Sequence, residues 1–261
     1  MDPRTLTAAQ IGEHLARMTR PRKAWLRLLT GDGRATVREL AARYQARRNA
    51  ARAEARRLRD LYREERARRR TGLVVAGIDE VGRGSLAGPV LAAAVILPHR
   101  TPIAGLDDSK RLTPAARERL DREIRARALG FAIGAASVQE IDRLNIQGAA
   151  RLAMARAVEA LIPAPDFLLI DGRDRLPLRC AQAAVVDGDA CHACIAAASI
   201  VAKVARDRLM RDLDEALPGY GFAEHKGYGT AEHLDALARR GPSPAHRRAF
   251  LPVIQMGLLL L

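Results

Sequence analysis

The stretch LVVAGIDEVGRGSLAGPVLAAAVIL (73–97) decides how the chain is read. Residues 73–79 form a short apolar run of the length and composition of a buried strand, and 90–97 form another. Between the runs stand two adjacent carboxylates, Asp79 and Glu80, followed by Gly82-Arg83-Gly84. Taken by itself, Gly-Arg-Gly is an ordinary turn, and a carboxylate that ends a strand is ordinarily no more than a boundary residue.

The texture on the C-terminal side is α/β. Pro114 opens a charged amphipathic helix over 114–128, with Thr113 as its cap. FAIGAASV (131–138) reads as a third strand, followed by a short helix at 138–144 and a longer one at 147–162. FLLID (167–171) is a strand that ends on an acid, and AAVVDGD (183–189) is another. From about Ala190 to Leu217 the pattern is helical, and 230–240 is one further helix. Three strands followed by helix–strand alternation predict a mixed sheet flanked by helices.

Upstream the composition changes. Residues 5–70 read as helical, with Leu6, Ile11 and Leu15, then Leu26, Leu28 and Leu29, near helical spacing. After Gly31-Asp32-Gly33, Thr36 with Glu39 forms a capping-box pattern, and the helix that follows runs through Leu40, Tyr44, Leu58 and Leu61. Residues 1–71 hold 20 Lys and Arg against 8 Asp and Glu, a net of +12, whereas 72–261 hold 24 against 22. A basic segment beside a near-neutral domain is the footprint of a polyanion-binding arm; a solvated basic helix is the plainer alternative. The boundary is placed at about 70–73, giving a basic helical extension over 1–71 and a second domain over 72–261.

The remaining composition narrows the class. Only 3% of residues are aromatic, so the core is built from Ala, Val, Leu and Ile. No apolar run approaches the roughly 18 residues of a membrane span, and the N-terminus lacks the layout of a secretory signal. Three cysteines give no disulfide framework, so a soluble cytoplasmic protein is expected. Of the 44 basic residues 40 are Arg; the lysines are Lys23, Lys110, Lys203 and Lys226. Lysine kept in so arginine-rich a chain points to sites that need a compact point charge.

Three predicted strands therefore end in acids: Asp79 with Glu80, Asp171, and Asp189. Strand ends of one sheet can converge at one edge, where α/β proteins bind ligands. Carboxylates gathered there would repel unless hard cations joined them, and Mg²⁺ favours carboxylate oxygens together with substrate phosphate. Two such ions about 4 Å apart activate water and stabilise a leaving oxygen. The alternative is that each acid merely ends its strand or makes a turn, as Asp171-Gly172 and Gly188-Asp189 would.

A resemblance decides between these readings. Segments 77–97, 107–120 (DDSKRLTPAARERL), 140–149 (EIDRLNIQGA), 168–172 (LLIDG), 188–209 (GDACHACIAAASIVAKVARDRL), 225–230 (HKGYGT) and 241–250 (GPSPAHRRAF) resemble, in order and spacing, bacterial ribonuclease HII, the type 2 ribonuclease H. The similarity covers essentially all of 72–253, and the basic extension resembles that of some bacterial members. It implies a ribonuclease-H-like α/β fold with a C-terminal helical segment. It also implies hydrolysis of the RNA strand of RNA/DNA hybrids, including a cut 5′ to a single ribonucleotide in duplex DNA, with 5′-phosphate and 3′-hydroxyl ends. Such an activity belongs to ribonucleotide removal in DNA repair and to primer removal in replication.

Carried over residue by residue, the resemblance makes Asp79, Glu80, Asp171 and Asp189 the catalytic acids. They would bind Mg²⁺ or Mn²⁺, with two ions when substrate is present. Gly82, Arg83 and Gly84 match a substrate-sensing loop, in which glycines let the backbone approach a ribose whose 2′-OH donates and accepts. Tyr228 matches a tyrosine that packs on the sugar at the RNA-to-DNA junction; from spacing alone it would be an ordinary half-buried Tyr. Lys110, Lys203, Lys226 and Arg206 are candidate phosphate contacts, and Ser109 and Ser199 candidate orienting groups, each with a structural alternative. The implied partners are nucleic acids, with no membrane, a monomeric enzyme, and a sliding clamp left open.

Two positions depart from the family's usual pattern. Asp187 stands where a Lys commonly precedes the fourth acid, and a strand would place it on the same face as Asp189. Glu224 stands where a basic residue often precedes the His-Lys-Gly-Tyr run. Cys191-His192-Ala193-Cys194 lacks a second cysteine pair and is read as small buried cysteines rather than a metal or redox site. Ribonuclease HIII is the nearest rival, and Arg83 argues against it; a nucleic-acid-binding protein with a dead nuclease domain is the other, and the complete acid set argues against that. The GLLLL tail (257–261) would dock on the domain or on a partner.

Overall fold

Alternation of small apolar residues builds a five-stranded sheet from β1 (Val75–Val81), β2 (Val90–Ile96), β3 (Gly130–Ala136), β4 (Phe167–Asp171) and β5 (Ala181–Val185). The order across the sheet is β3-β2-β1-β4-β5. β1 pairs antiparallel with β2, and β2 with β3, whereas β1, β4 and β5 run parallel. The structure, a computed structural model, describes residues 2–18 and 22–258, with side chains as far as Gln255; the side chains of the GLLLL tail lie outside the described residues.

The chain divides into two compact units, Met1–Arg57 and Leu58–Leu261. In the first, α1 (Ala8–Arg17), α2 (Lys23–Thr30) and most of α3 (Ala35–Leu61) enclose Ile11, Leu15, Leu26, Leu29, Val37, Ala41 and Tyr44. Thr7 and Gln10 cap α1 reciprocally. The cap expected from Thr36 and Glu39 does not form, because α3 already begins at Ala35. Arg34 holds that entry instead, forked onto Asp32 and donating to the Leu6 carbonyl at 2.7 Å. Leu28, expected on the apolar face, is exposed.

In the second unit α4 (Arg63–Arg70) precedes the sheet, and α5 (Pro114–Arg127) and α6 (Val138–Glu159) flank β3 in sequence. After β5 come α7 (Gly188–Cys191), α8 (Ala193–Ala216), α9 (Phe222–His225), α10 (Ala231–Arg240) and α11 (Leu251–Leu258). One sheet face, with Ala76, Ile78, Ala94 and Ile170, packs on Ala149, Ala153 and Ala157 of α6. The other, with Ala93 and Val95, packs on Leu120 and Ile124 of α5 and on Ala197 and Val201 of α8. The alanines let helix axes come close. At Gly77 the approach of α8 is close, since a Cβ there would lie 2.2 Å from the Cys194 backbone carbon.

Local geometry departs from the sequence reading in three places. The two helices expected at 138–144 and 147–162 are joined as α6, with Asn145 at φ 59°, ψ 172° between them; its Oδ1 accepts from the Gln147 and Gly148 amides and caps the second half. The strand expected to reach 189 ends at Val185, so Asp189 stands on α7 and left-handed Asp187 does not share a strand face with it. The helix expected from Ala190 is broken at His192, whose φ of −130° separates α7 from α8. Among the described residues no helix is long and apolar enough to cross a membrane.

The units part at Arg57/Leu58, ahead of the composition change at Gly72. Leu58, Leu61 and Tyr62 are buried against Ile103, Leu106, Leu120 and Ala197, and the Tyr62 hydroxyl accepts from the Ile103 amide at 3.1 Å. A chain starting at residue 58 is expected to fold cooperatively, whereas one starting at 72 loses that packing. Tyr62→Ala alone should cost about 3–5 kcal/mol, read by urea unfolding of the 58–261 chain. A 72–261 chain as stable as 58–261 would contradict this assignment.

Candidate active site

Parallel pairing of β1 with β4 aligns Ile78 with Ile170, so the next residues, Asp79 and Asp171, stand side by side where that pairing and β4 end; β1, expected to stop at Asp79, continues beside β2 to Val81. Asp79 is buried, on the sheet face opposite Ile78 and Ala76. Its Oδ1 accepts from the Glu80 amide at 2.7 Å, and the Ser199 hydroxyl donates to the carboxylate. Ser109 and Ser199 lie 2.9 Å apart through their hydroxyl oxygens, so a chain of hydroxyls backs the acid.

Burial first, then the charges of Glu80 and Asp171, push the Asp79 carboxyl well above the usual carboxylate range. Asp189 is raised as well, by burial and by Asp108 and Asp171, with Lys110 opposing. Lys110 Nζ stands 3.6 Å from Asp189 Oδ2. Asp171 Oδ1 accepts from the Gly188 amide at 2.8 Å, which ties the start of α7, and with it Asp189, to the end of β4. Glu80 accepts from Arg83 at 3.0 Å.

Each acid thus leans on a local donor, and among the described residues no three His, Cys, Asp or Glu side chains are grouped to hold one ion as they stand. The donor set nevertheless fits hard divalent cations. It consists of carboxylate oxygens, and its central member is buried and destabilised by like charge, a strain that bound positive charge relieves.

Asp79, Glu80, Gly82, Arg83, Gly84, Ser109, Lys110, Asp171, Ser199, Lys203 and Tyr228 line one cleft of about 390 Å³. Asp189 joins its rim through Lys110. Lys203 is paired with Asp207 at 2.8 Å, and Lys226 donates to the Ala223 carbonyl; both face a neighbouring cleft that also includes Glu224. Arg206, expected as a phosphate contact, is instead fully buried. Its guanidinium donates to the carbonyls of Pro89, Lys226 and Ala87, which leaves it no path to a phosphate. Cys194 is buried as expected, but Cys191 is exposed.

Three contributors escaped the sequence reading. Arg117 lines the cleft and donates to the Ser109 carbonyl at 2.9 Å. Asp108 hydrogen-bonds Asp189. Arg247, fully buried, donates to the carbonyls of Gly82, Arg83 and Gly88 and so holds the glycine loop from beneath. Burial and Arg206 pull its pKa down to about 9. Gly82, at φ +89°, rests on Arg206, where a Cβ would come 2.1 Å from Nε. In a chain with 40 arginines nothing in the pattern singles out Arg117 or Arg247.

The raised Asp79 carboxyl has a thermodynamic consequence. A carboxyl whose folded pKa exceeds its unfolded value binds more protons in the native state, so stability falls as pH rises from the ordinary carboxylate range through the folded value. Asp79→Asn is therefore expected to raise the melting temperature of metal-free protein at pH 7, by roughly 2–4 °C per kcal/mol gained. The gain should vanish at pH 3. A variant less stable than the parent at pH 7 would show that the carboxylate's hydrogen bonds outweigh its charge.

Comparison with known proteins agrees with this geometry. The ribonuclease HII family model matches residues 76–253, and the ribonuclease HII N-terminal domain model matches 7–69. A ribonuclease HII of Desulfitobacterium hafniense is 51% identical over 238 residues, covering 91% of this chain and 92% of that protein. One from Geobacter sulfurreducens is 56% identical over 187 residues, 72% of this chain and 86% of its own. The crystal structure of ribonuclease H2 from Pyrococcus horikoshii OT3 shares the fold at a TM-score of 0.59 and 23% identity, over 71% of this chain and 97% of that one. The RNase HII in the Archaeoglobus fulgidus PCNA:RNase HII complex superposes at a TM-score of 0.56 with 26% identity, over 67% of this chain and 94% of its own. The chain belongs to the ribonuclease HII family, and with it to the ribonuclease H enzymes, hydrolases that cut RNA in RNA/DNA hybrids.

Proposed function

We propose that Asp79, Glu80, Asp171 and Asp189 bind Mg²⁺ or Mn²⁺ and that the enzyme cuts 5′ to single ribonucleotides in duplex DNA as well as within hybrids. The observation that carries this reading is Asp79, raised by burial and by two carboxylate neighbours, where the pairing of β1 with β4 ends. Two bound cations would supply an activated water and charge stabilisation of the departing 3′ oxygen, leaving 5′-phosphate and 3′-hydroxyl ends. Asp79 is central to the set, with Asp189 toward one side and Asp171 with Glu80 toward the other. Ser109 and Ser199 orient the Asp79 carboxylate through their hydroxyls.

Substrate selection rests on the loops around the cleft. Gly84 and Arg83 are exposed beside Tyr228, and Ser85 pairs with Tyr228 across an isolated bridge. Backbone groups of the glycine loop reach a ribose 2′-OH there, while the 39% exposed Tyr228 ring packs on the sugar that follows. Lys110 at the rim contacts phosphate, as do Lys203 and Lys226 once released from their internal partners. This specificity serves ribonucleotide removal from DNA and removal of RNA primers in the cytoplasm.

The basic N-terminal unit is a nucleic-acid-binding arm, and a sliding clamp is a partner to test in light of the Archaeoglobus complex. Residues 1–57 carry 14 Lys and Arg against 5 Asp and Glu. Deleting them should leave the cleavage position unchanged and flatten the slope of log affinity against log salt. The expected change is about 0.9 for each phosphate that the arm no longer neutralises, with roughly two to four such phosphates in all. An unaltered slope would make the arm a solvated helical unit only.

Asp79→Asn and Asp171→Asn are each expected to slow cleavage by at least ~10³ while duplex affinity stays near the parent's. Mg²⁺ or Mn²⁺ should raise the melting temperature of the parent and not of either variant. Robust Mg²⁺-dependent cleavage by Asp79→Asn protein would overturn the acid assignment.

A further inference from the structure

Three buried or half-buried histidines remain without a part in this chemistry. They lie behind the Tyr228 loop, with His225 stacked on His233 at 4.3 Å and the Phe222 ring edge-on to His233 at 5.5 Å. His233 Nδ1 is 2.9 Å from the Tyr228 carbonyl oxygen, and its Nε2 is 3.0 Å from His246 Nε2. At the far end the Ser243 amide donates to His246 Nδ1 at 3.0 Å, with the Ser243 hydroxyl 2.8 Å from the same nitrogen.

The protons on this chain have one consistent arrangement. An amide N–H can only donate, so His246 Nδ1 accepts and the ring's proton sits on Nε2. That N–H points at His233 Nε2, which must accept. His233 then carries its proton on Nδ1, where the Tyr228 carbonyl receives it. A second proton on either ring would set donor against donor, at the 3.0 Å contact between the rings or at the Ser243 amide. Both rings are held neutral by burial, which brings His246 down to about 4 and lowers His233 as well.

Other contacts of this loop fall on its neighbours and on Tyr228: the Tyr228 amide donates to the His225 carbonyl, Ser85 bridges Tyr228, and the Arg206 guanidinium lies 5.8 Å from the Tyr228 ring centroid. Arg206 donates to the Lys226 carbonyl, Leu86 donates to Gly227, and the Gly227 amide donates to His225 Nδ1. The Tyr228 carbonyl accepts from the Thr230 amide and from His233 alone among side chains. The ring is 39% exposed with the Arg206 guanidinium 5.8 Å from its centroid, so its direction depends on its own backbone as well as on that contact. We propose that Ser243, His246 and His233 form a one-way hydrogen-bond relay that positions Tyr228 and thereby sets the preference for an RNA-to-DNA junction. The proposal rests on the junction-sensing reading of Tyr228, and His233 and His246 are positioning residues.

Two substitutions in the full-length enzyme separate the relay from bulk packing. An Asn at 233 places an amide N–H near the site of imidazole Nδ1, whereas a Gln reaches only the Nε2 site. His233→Asn therefore keeps the donor to Tyr228, and His233→Gln keeps only the link to His246. Two readouts are compared: hydrogen–deuterium exchange over residues 226–230, and the ratio of cleavage rates on a duplex with one ribonucleotide and on an all-RNA/DNA hybrid. His233→Gln should speed loop exchange and shift the ratio about fivefold toward that of Tyr228→Ala, the loss set by one hydrogen bond of ordinary net strength. His233→Asn should stay near the parent in both. If either variant fails to fold, His246→Gln and His246→Asn make the same comparison in reverse, since only Gln retains the donor to His233. Asn and Gln variants that behave alike in exchange overturn the relay. If Tyr228→Ala leaves the ratio unchanged, the junction reading fails; the exchange comparison then supports or overturns loop positioning by itself.

Discussion

Asp79 has to keep a carboxylate where water is scarce and where Glu80 and Asp171 already repel it. Most of the surrounding architecture follows from that requirement. The parallel pairing of β1 and β4 brings Asp79 and Asp171 abreast, and the antiparallel β2 leaves room for the glycine loop on the same edge. Close seating of α8 on Gly77 delivers the Ser199 hydroxyl to the buried carboxylate, and Ser109 completes that hydroxyl's own bonding. A side chain at 77 would push α8 away and leave the acid with the Glu80 amide but without the Ser199 hydroxyl. An alanine-rich interior is therefore a condition of the chemistry, because larger residues would hold the helices too far off to reach the acids.

A second constraint is carried by two arginines whose hydrogen bonds go to backbone carbonyls. Arg206 and Arg247 are buried together, and burial makes their charge costly. What satisfies them is backbone: carbonyls of residues 82, 83, 87, 88, 89 and 226. These carbonyls belong to both loops that frame the cleft. Irregular chain without a ladder of its own needs donors from elsewhere, and a planar guanidinium supplies several from one point. The same two residues keep the loops in register with each other.

Patterns with a period were legible in the sequence; partnerships between distant side chains were not. The apolar runs at 73–79, 90–97 and 167–171 give central strands because burial on both faces needs continuous apolar residues, whereas 131–138 gives an edge strand whose Phe131 and Ile133 are exposed. Asp171 was legible as a strand-end acid, whereas Asp79, read the same way, lies inside a strand that continues to Val81, and Asp189, also read as a strand end, stands on α7. Asp187 misleads because alternation alone cannot reveal a left-handed turn between β5 and α7. Arg206 misleads because a conspicuous arginine reads as a phosphate contact until its depth is known. Arg247, Arg117 and the His233–His246 contact leave no local signal, since each acts on a segment remote in sequence or on backbone carbonyls that carry no side-chain identity.

The mismatch between composition and packing at the N-terminus has a cause of the same kind. Charge density falls at Gly72, yet Leu58, Leu61 and Tyr62 already belong to the core beneath the sheet. Arg59 between them, and Arg63 and Arg70 beyond, are exposed, so net charge reports the surface and is blind to the buried stripe. Glu65 makes the point at one residue. It is surrounded in sequence by arginines, but its Oε1 accepts from the Cys194 amide at 2.8 Å, at the start of α8. The residue before α8, His192, provides no side-chain cap, so an acid from α4 meets the positive end of the helix that carries Ser199 and Lys203. A segment that groups by charge with the N-terminal residues is thereby part of what holds α8 in place.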